Sequence, residues 1–412
     1  MLHPELLHSG SPRPGLVHRA RSFAALPGAT KAAFLLTEMA VAPCAFAPVA
    51  ADKPLALYGA GDMGRLARDF FALAGLEIAL VIDRNAANAS VGGWSATRPV
   101  VPEAVPDEIK RSVRVAVCVA TSAYVPIEAA LHEAGFPDVV PFYDLSESFR
   151  HLHPLSNGWF APPFTAGEQD EIASALAAWE DDASRAHHLQ FLAWRRLREE
   201  WVFAPAPPLA GDSRYFIPEV LDVLRADETF VDGGAYDGCI TEAFARRMGG
   251  TFQRIVAVEP DGPNRARCEA NVETSLAGDA RVTIHGFALA EQNGAAPFHE
   301  GLGYASQLST TGSTRIECRS LDALGLTPTF VKLHLEGGEL AALKGARETL
   351  VNHRPLVAVT VYHNDDGLWK TARWLMQTLT DYRFLFRIHA WCGAGAVIYA
   401  IPNERGMKAK VA

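Results

Sequence analysis

Residues 229–260 read TFVDGGAYDGCITEAFARRMGGTFQRIVAVEP, and this stretch decides the fold. TFVD and IVAVEP are apolar runs typical of buried strands, and residues 238–248 between them carry apolar side chains at helical spacing. Gly233 and Gly234 predict a tight turn that lets the backbone approach a ligand closely. Glu259 stands at the carboxyl end of the second strand. This order is typical of a nucleotide-type cofactor site in a doubly wound sheet.

The acidic residues of the turn bear on which of two ligands binds there, a dinucleotide or S-adenosylmethionine. A dinucleotide usually requires G-x-G-x-x-G before a helix, whereas this turn reads D-G-G-A-Y-D-G. Asp232 and Asp237 would repel a pyrophosphate and attract the cationic groups of S-adenosylmethionine. The other interpretation is a glycine-rich turn of an unrelated α/β domain. We predict that S-adenosylmethionine is bound by Asp232, Gly233, Gly234, Ala235, Asp237, Gly238, Glu259 and Ala288.

Several blocks of sequence between Val231 and Pro402 resemble the FkbM-type methyltransferase family. These blocks are VDGGAYDG, VAVEPD, FALAEQNG with CRSLDAL, FVKLHLEGGELAALKGARETL, and LVAVTVYHNDDGLW with VIYAIP. The resemblance implies a class I methyltransferase fold, S-adenosylmethionine as the methyl donor and usually a hydroxyl group as the acceptor. One position departs from the family, because this chain has His334 where the family usually has an aspartate.

Three side chains follow strands of the expected sheet and are predicted to be catalytic. His334 and Glu336 come after FVKL, and His363 comes after LVAVTVY. Ligands bind at this carboxyl edge of an open α/β sheet. We predict that His363 acts as a base or orients the acceptor, since an imidazole titrates near neutral pH. Its alternative is a histidine held at a strand end by hydrogen bonds.

Glu336 has two interpretations of equal weight, and the histidines add a third possibility. Glu336 orients the acceptor or caps the helix that begins near Glu339. Two histidines and a carboxylate are also ligand types that a divalent metal accepts. Their spacing in the sequence does not show that they meet at one centre, so we predict no metal.

A second glycine turn lies near the start of the chain. Gly59, Gly61 and Gly64 fit G-x-G-x-x-G, and Asp83 ends the following strand. We predict a small Rossmann-like domain that resembles the nucleotide-binding-like domain preceding some FkbM-type methyltransferase domains. These four residues either bind a nucleotide or nucleotide sugar, or the domain has a structural or dimerisation role. The unit lacks the second half of a full dehydrogenase domain.

The chain of 412 residues is long enough for several domains. We predict an α/β protein with two Rossmann-like doubly wound sheets joined by a helical connector, the second sheet being a class I methyltransferase fold. Arg195, Arg196 and Arg198 of the connector are expected to face solvent, and residues 1–20 to form a mobile tail. The predicted segments are a tail and helical lead over 1–52, the small Rossmann-like domain over 53–145, the connector over 146–225 and the methyltransferase domain over 226–405.

The charge, the apolar runs and the cysteines of the sequence indicate which binding partners and which compartment to expect. The net charge of −9 argues against nucleic acid, because binding phosphates needs a basic surface. No apolar run reaches the ~20 residues of a membrane helix. Six scattered cysteines without a C-x-x-C pair favour a reducing compartment, so we predict a cytoplasmic protein.

The predicted function is S-adenosylmethionine-dependent O-methylation of a small-molecule or sugar-containing acceptor, in a monomer or a homo-oligomer. Two alternatives come from other classes of protein. One is a degenerate methyltransferase that serves as a binding or scaffold module, which the departure at His334 suggests. The other is a nicotinamide-dependent oxidoreductase that uses the first domain.

Overall fold

The computed structural model describes residues 16–89, 94, 97–150 and 158–406. The strands are β1 Arg19–Phe23, β2 Leu55–Tyr58, β3 Ile78–Ile82, β4 Arg114–Val117, β5 Val139–Pro141, β6 Glu199–Phe203, β7 Thr229–Gly233, β8 Arg254–Val258, β9 Val282–His285, β10 Ala288–Leu289, β11 Gly294–His299, β12 Gln307–Leu308, β13 Thr314–Arg319, β14 Phe330–Leu333, β15 Leu356–Thr360, β16 Tyr382–Ile388 and β17 Ala396–Pro402. The α-helices are α1 Ala29–Val41, α2 Asp62–Leu73, α3 Ala86–Ala89, α4 Asp107–Ser112, α5 Tyr124–Glu133, α6 Phe142–Ser146, α7 Ala166–Ala178, α8 Asp182–Leu197, α9 Pro218–Leu221, α10 Cys239–Arg247, α11 Gly262–Leu276, α12 Glu339–Lys344, α13 Arg347–His353 and α14 Lys370–Thr378.

The larger sheet has seven strands in the order β16-β17-β15-β14-β7-β8-β9. Neighbouring strands pair in parallel, except that β17 is antiparallel to both β15 and β16. Every residue of β7 and β15 is buried, as expected of strands with both faces covered. The strand order reverses between β7 and β14, and ligands bind at such a switch point.

The N-terminal sheet has four parallel strands in the order β3-β2-β4-β5, which agrees with the expected Rossmann-like unit. The last glycine of its motif has a packing role. A Cβ on Gly64 would lie 2.0 Å from the carbonyl oxygen of Gly59, so only glycine allows α2 to pack this closely against β2.

A mobile tail was predicted over residues 1–20, and residues 1–15 of it lie outside the described residues. For residues 16–20 the prediction of a mobile tail is wrong. His18 is buried, and Arg19–Phe23 forms β1, which pairs in parallel with β6 of the connector. The side chain of His18 contacts Glu128 in the N-terminal domain, with 2.8 Å between Nδ1 and Oε1. Long-range pairing of this kind leaves no local signal in the sequence.

The connector contains α7 and α8, but its arginines do not face solvent as expected. Arg195 and Arg198 are completely buried, and Arg196 is nearly so. Arg195 donates hydrogen bonds to the carbonyl oxygens of Gly158, Tyr362 and Gly393, and the Nε of Arg198 donates to Asp144 at 3.3 Å. These buried guanidinium groups therefore tie the connector to both sheet-containing domains.

A smaller sheet in the order β10-β13-β11-β12 is inserted between β9 and β14. Its glycine-rich segment 301–306 reaches the N-terminal domain, where Ala305 packs into that domain's hydrophobic core. The hydroxyl of Tyr304 donates a hydrogen bond of 3.5 Å to the carbonyl of Asp62. The insertion thus joins the N-terminal glycine turn to the edge of the larger sheet.

Candidate active site

The glycine turn after β7 has a backbone that other residues would not allow. Gly234 has a φ of +72°, and a Cβ there would lie 1.9 Å from the carbonyl oxygen of His334. The amides of Gly234 and Ala235 both donate to the carbonyl of Val258 at the end of β8, at 2.9 and 3.1 Å. The turn therefore lies between the ends of β8 and β14, with no room for a side chain at Gly234.

Asp232 does not reach the cavity beside this turn, contrary to the expected electrostatic role. Its carboxylate is fully buried, accepts a hydrogen bond from Thr241 and pairs with Lys332 at 2.8 Å. The Nζ of Lys332 also donates to the carbonyls of Gly233 and Gly234, at 3.2 and 2.7 Å. The lysine neutralises the charge of Asp232, so this carboxylate is a support for the turn and not an attraction for a cation.

Glu259 lies directly after β8 and holds two backbone amides. Its carboxylate accepts from the amide of Tyr236 at 2.7 Å and from that of Asp261 at 3.0 Å. Burial raises the pKa of Glu259 to about 7. The carboxylate therefore links the glycine turn to the start of α11 and faces the cavity at the same time.

One cavity collects part of the predicted set at the carboxyl edge of the larger sheet. The predicted site residues that line this cavity are Gly234, Ala235, Glu259, Ala288, His334 and Glu336. Gly233 and Gly238 shape the turn without lining the cavity, and Asp237 accepts the amide of Cys239 at 3.1 Å instead. Cofactor-side residues and catalytic candidates thus meet in one space.

His334, Glu336 and His363 converge, which their spacing in the sequence did not reveal. The Oε1 of Glu336 lies 3.0 Å from the Nε2 of His334 and 3.2 Å from the Nε2 of His363. The Nδ1 of His334 lies 2.7 Å from the hydroxyl of Tyr215. The Nδ1 of His363 lies 3.1 Å from Oε1 of Glu339. Three ligand atoms of this cluster all lie within 4.8 Å of one another.

The backbone of this segment is held in an unusual conformation. Glu336 has a φ of +48°, which is uncommon for a residue with a side chain and is found at functional sites. Glu339 begins α12, and its carboxylate accepts the amides of Leu335 and Gly337, both at 2.9 Å. Glu339, and not Glu336, therefore makes the contacts at the start of this helix.

The ionisation of the cluster follows from its burial and its charges. Burial lowers the pKa of His334 well below its usual range, and neighbouring His363 lowers it further. Burial also lowers the pKa of His363, but Glu336 and Glu339 outweigh this effect and leave that pKa raised. Burial raises the pKa of Glu336 to about 7. These surroundings therefore favour the neutral form of His334 and the protonated form of His363.

Three residues of the site were missed by the sequence analysis. Lys332 had a signal, because a lysine inside the apolar run FVKL needs a buried partner. Glu339 was noted only as the start of a helix. Tyr215 lies in the segment predicted as the connector, is buried with a φ of +77°, and has no pattern that would single it out.

The N-terminal glycine turn holds its own acid. Asp83 accepts the amides of Ala60 and Asn85, each at 2.8 Å, and Trp94 donates to the carbonyl of Ala60. Gly59 and Asp83 line a cleft at the carboxyl edge of this sheet, whereas Gly61 and Gly64 do not. Nucleotide binding there stays a prediction.

Comparison with one solved structure supports the fold. The chain resembles the crystal structure of methyltransferase FkbM from Methylobacillus flagellatus KT, at 18% identity and a TM-score of 0.59, over 92% of this chain and 94% of that chain. A precorrin-6y C5,15-methyltransferase from Geobacter metallireducens GS-15 gives 18% identity and a TM-score of 0.30 over 45% of this chain and 89% of that chain. No curated protein matches the sequence.

The strand order with its reversed strand β17, together with the cavity at the carboxyl edge, defines a class I methyltransferase fold. Residues 232–386 match the family model of the methyltransferase FkbM domain. The resemblance noted in the sequence is confirmed. Among the described residues, no helix is both long and apolar enough to cross a membrane.

Proposed function

We propose that the C-terminal domain transfers a methyl group from S-adenosylmethionine to a hydroxyl oxygen of a small-molecule or sugar-containing acceptor. The observation that carries this proposal is the single cavity that is lined both by the glycine turn with Glu259 and by His334 with Glu336. A methyl donor bound by the glycine turn and Glu259 would lie beside His334 and Glu336. Methyl transfer requires the donor and the acceptor to be aligned in this way.

The donor side of the cavity is assigned to Gly234, Ala235, Glu259 and Ala288. Gly234 leaves room for close approach of a ligand to the backbone, and Glu259 offers the carboxylate that suits ribose hydroxyls in this kind of fold. S-adenosylmethionine supplies a methyl group on a positively charged sulfur. Asp232 and Lys332 contribute by holding the turn in place.

The acceptor side is assigned to Glu336 and His334, with His363 as a positioning residue. Glu336 and His334 line the cavity, whereas the described contacts of His363 run to Glu336 and Glu339. A hydroxyl group loses one proton when it is methylated, so the acceptor side must favour that loss. Glu336 and His334 are the side chains on the acceptor side that can accept or stabilise this proton.

The first test separates binding from turnover. Calorimetry with S-adenosylmethionine and with its demethylated product should give one site per chain. Incubation with methyl-labelled donor and a panel of hydroxylated small molecules and sugars should transfer label to oxygen in at least one of them. Heat without transfer to any acceptor would favour the binding or scaffold module, and the absence of heat with both compounds would refute the proposal.

The oxidoreductase alternative has a separate test. The N-terminal sheet has only four strands among the described residues, so it lacks the second half of a full dehydrogenase domain. We therefore expect no fluorescence change when NADH is added to the protein. Saturable NADH binding would revive that alternative.

A further inference from the structure

We propose that His334, Glu336 and His363 bind one divalent transition-metal cation at the acceptor end of the cavity. The role of this cation in catalysis rests on the proposed methyl transfer, whereas its binding is independent of that function and can be measured alone. The ligand atoms of these three residues all lie within 4.8 Å of one another.

Two distances within the cluster match those between ligands of one ion, and all three ligand atoms lie within 4.8 Å of one another. A cation such as Zn²⁺ binds imidazole nitrogen and carboxylate oxygen at about 2.0–2.2 Å, so neighbouring ligand atoms are about 3.0–3.5 Å apart. The Oε1 of Glu336 lies 3.0 and 3.2 Å from the two Nε2 atoms. Small side-chain shifts would therefore place one ion in contact with all three residues.

Each imidazole ring has a contact at its Nδ1 that fixes its orientation, as in established metal sites. A ligating histidine usually bonds to a carboxylate, carbonyl or water through its other nitrogen, and this contact fixes the ring. Here Glu339 takes that position for His363, and the hydroxyl of Tyr215 takes it for His334. Glu339 is itself fixed by two backbone amides and by the hydroxyl of Thr360 at 2.9 Å. The two Nε2 atoms both face Glu336, and the hydroxyl of Tyr362 also lies 3.3 Å from the Nε2 of His334.

The ligand types select the class of cation. Imidazole suits zinc, iron and similar ions, whereas magnesium and calcium prefer oxygen ligands alone. Since His334 and Glu336 line the cavity, a coordination position opposite the protein ligands would face the acceptor. A cation there would lower the pKa of a hydroxyl that contacts it, so that the hydroxyl proton leaves to solvent. The oxygen would then bond to the methyl carbon as the bond between that carbon and the sulfur breaks, and the demethylated cofactor would leave as the neutral thioether.

A proton relay without metal is the competing explanation for the same contacts. The Oε1 of Glu336 lies 3.0 and 3.2 Å from the two Nε2 atoms, and a carboxylate between two rings could take the acceptor's proton directly. The two explanations differ in a measurable way, because only one of them requires a cation.

The test uses the full-length chain freed of metal with a chelator and then titrated with Zn²⁺ and with Co²⁺. We expect one cation per chain by calorimetry, and Co²⁺ absorption bands that indicate nitrogen and oxygen ligands. Glu336→Gln and His363→Asn should abolish both signals, and Tyr215→Phe should weaken binding ~10-fold or more. His299→Asn, which changes a histidine of the inserted sheet, is the matched control and should bind normally.

Two results would overturn the proposal. The first is a metal-free wild-type protein that binds neither cation, and the second is binding that Glu336→Gln and His363→Asn leave unchanged. Circular dichroism of each variant identifies loss of fold, and the wild-type Co²⁺ spectrum decides the question without any variant.

Activity then separates this inference from the proposed function. Full methyl transfer in the metal-free protein would assign the proton to the Glu336–His363 relay and overturn the catalytic role of the cation. Cation binding without methyl transfer to any acceptor would support the metal site and count against the proposed function instead.

Discussion

Replacing Lys332 with methionine tests whether the glycine turn depends on a buried charge. The Nζ of Lys332 pairs with Asp232 at 2.8 Å and donates to two carbonyl oxygens of the turn. Both side chains of the pair are at most 2% exposed. In Lys332→Met, Asp232 keeps only its hydrogen bond from Thr241, so a buried carboxylate loses its counter-charge.

The expected magnitude follows from this burial. Breaking a buried ion pair by removing one partner typically costs ~3–5 kcal/mol, whereas replacing both partners with neutral residues costs far less. The double variant Asp232→Asn/Lys332→Met should therefore be more stable than Lys332→Met alone. Lys53→Met is the matched control, because Lys53 is 45% exposed and pairs with Asp138 at the surface. That change should cost at most ~1 kcal/mol.

Urea unfolding followed by fluorescence measures these differences, with the affinity for the demethylated cofactor as a second readout. Lys332→Met should lower the unfolding midpoint and weaken cofactor binding, because the carbonyls of Gly233 and Gly234 lose their donor. The reasoning would be refuted if Lys332→Met were no less stable than Lys53→Met, or if the costs of the two single changes simply added in the double variant.

Three further predictions concern binding, acid stability and packing. Glu259→Ala should weaken binding of the demethylated cofactor ~10- to 100-fold in calorimetry, since it removes a charged hydrogen-bond acceptor worth ~1.5–3 kcal/mol. Burial lowers the pKa of His188 from 6.5 to about 4, so its contribution to stability is complete above pH 6.5 and is lost as the pH falls towards 4. Urea unfolding of His188→Gln across this range should depend less on pH, by ~1.4 kcal/mol per pH unit, and an unchanged dependence would contradict the assignment. Gly64→Ala should lower the melting temperature through a clash costing ~1–3 kcal/mol, whereas Gly61→Ala, with open space around its Cβ position, should melt like the wild type.

Much of the fold could be predicted, because strands, helices and turns depend on residue patterns within short stretches of the sequence. TFVD and FVKL lie in buried strands, IVAVEP begins in β8 and leaves it after Val258, and the glycines at 233, 234 and 238 form the expected turn. Apolar runs, helical spacing and glycine turns each act over a few residues. The carboxyl edge of the larger sheet was therefore the correct place to look for a site.

The charged residues were harder to predict, because a charge in a sequence does not reveal its partner. Arg195 and Arg198 lie in a stretch that reads as a solvated helix face, yet they are buried against carbonyls and a carboxylate from distant segments. Asp232 was expected to attract a cationic ligand, but its partner Lys332 lies a hundred positions further along the chain. Burial and pairing are properties of the packed chain.

By itself, the amino-acid order determined the alternation of strands and helices, both glycine turns and the residues at the strand ends, because each depends on backbone preferences within a short window. Only tertiary packing placed Glu336 between His334 and His363. Packing also brought Tyr215 and Glu339 into contact with the two rings. It likewise paired Lys332 with Asp232. Such contacts join segments that are far apart in the chain, and they exist only once the strands are laid side by side.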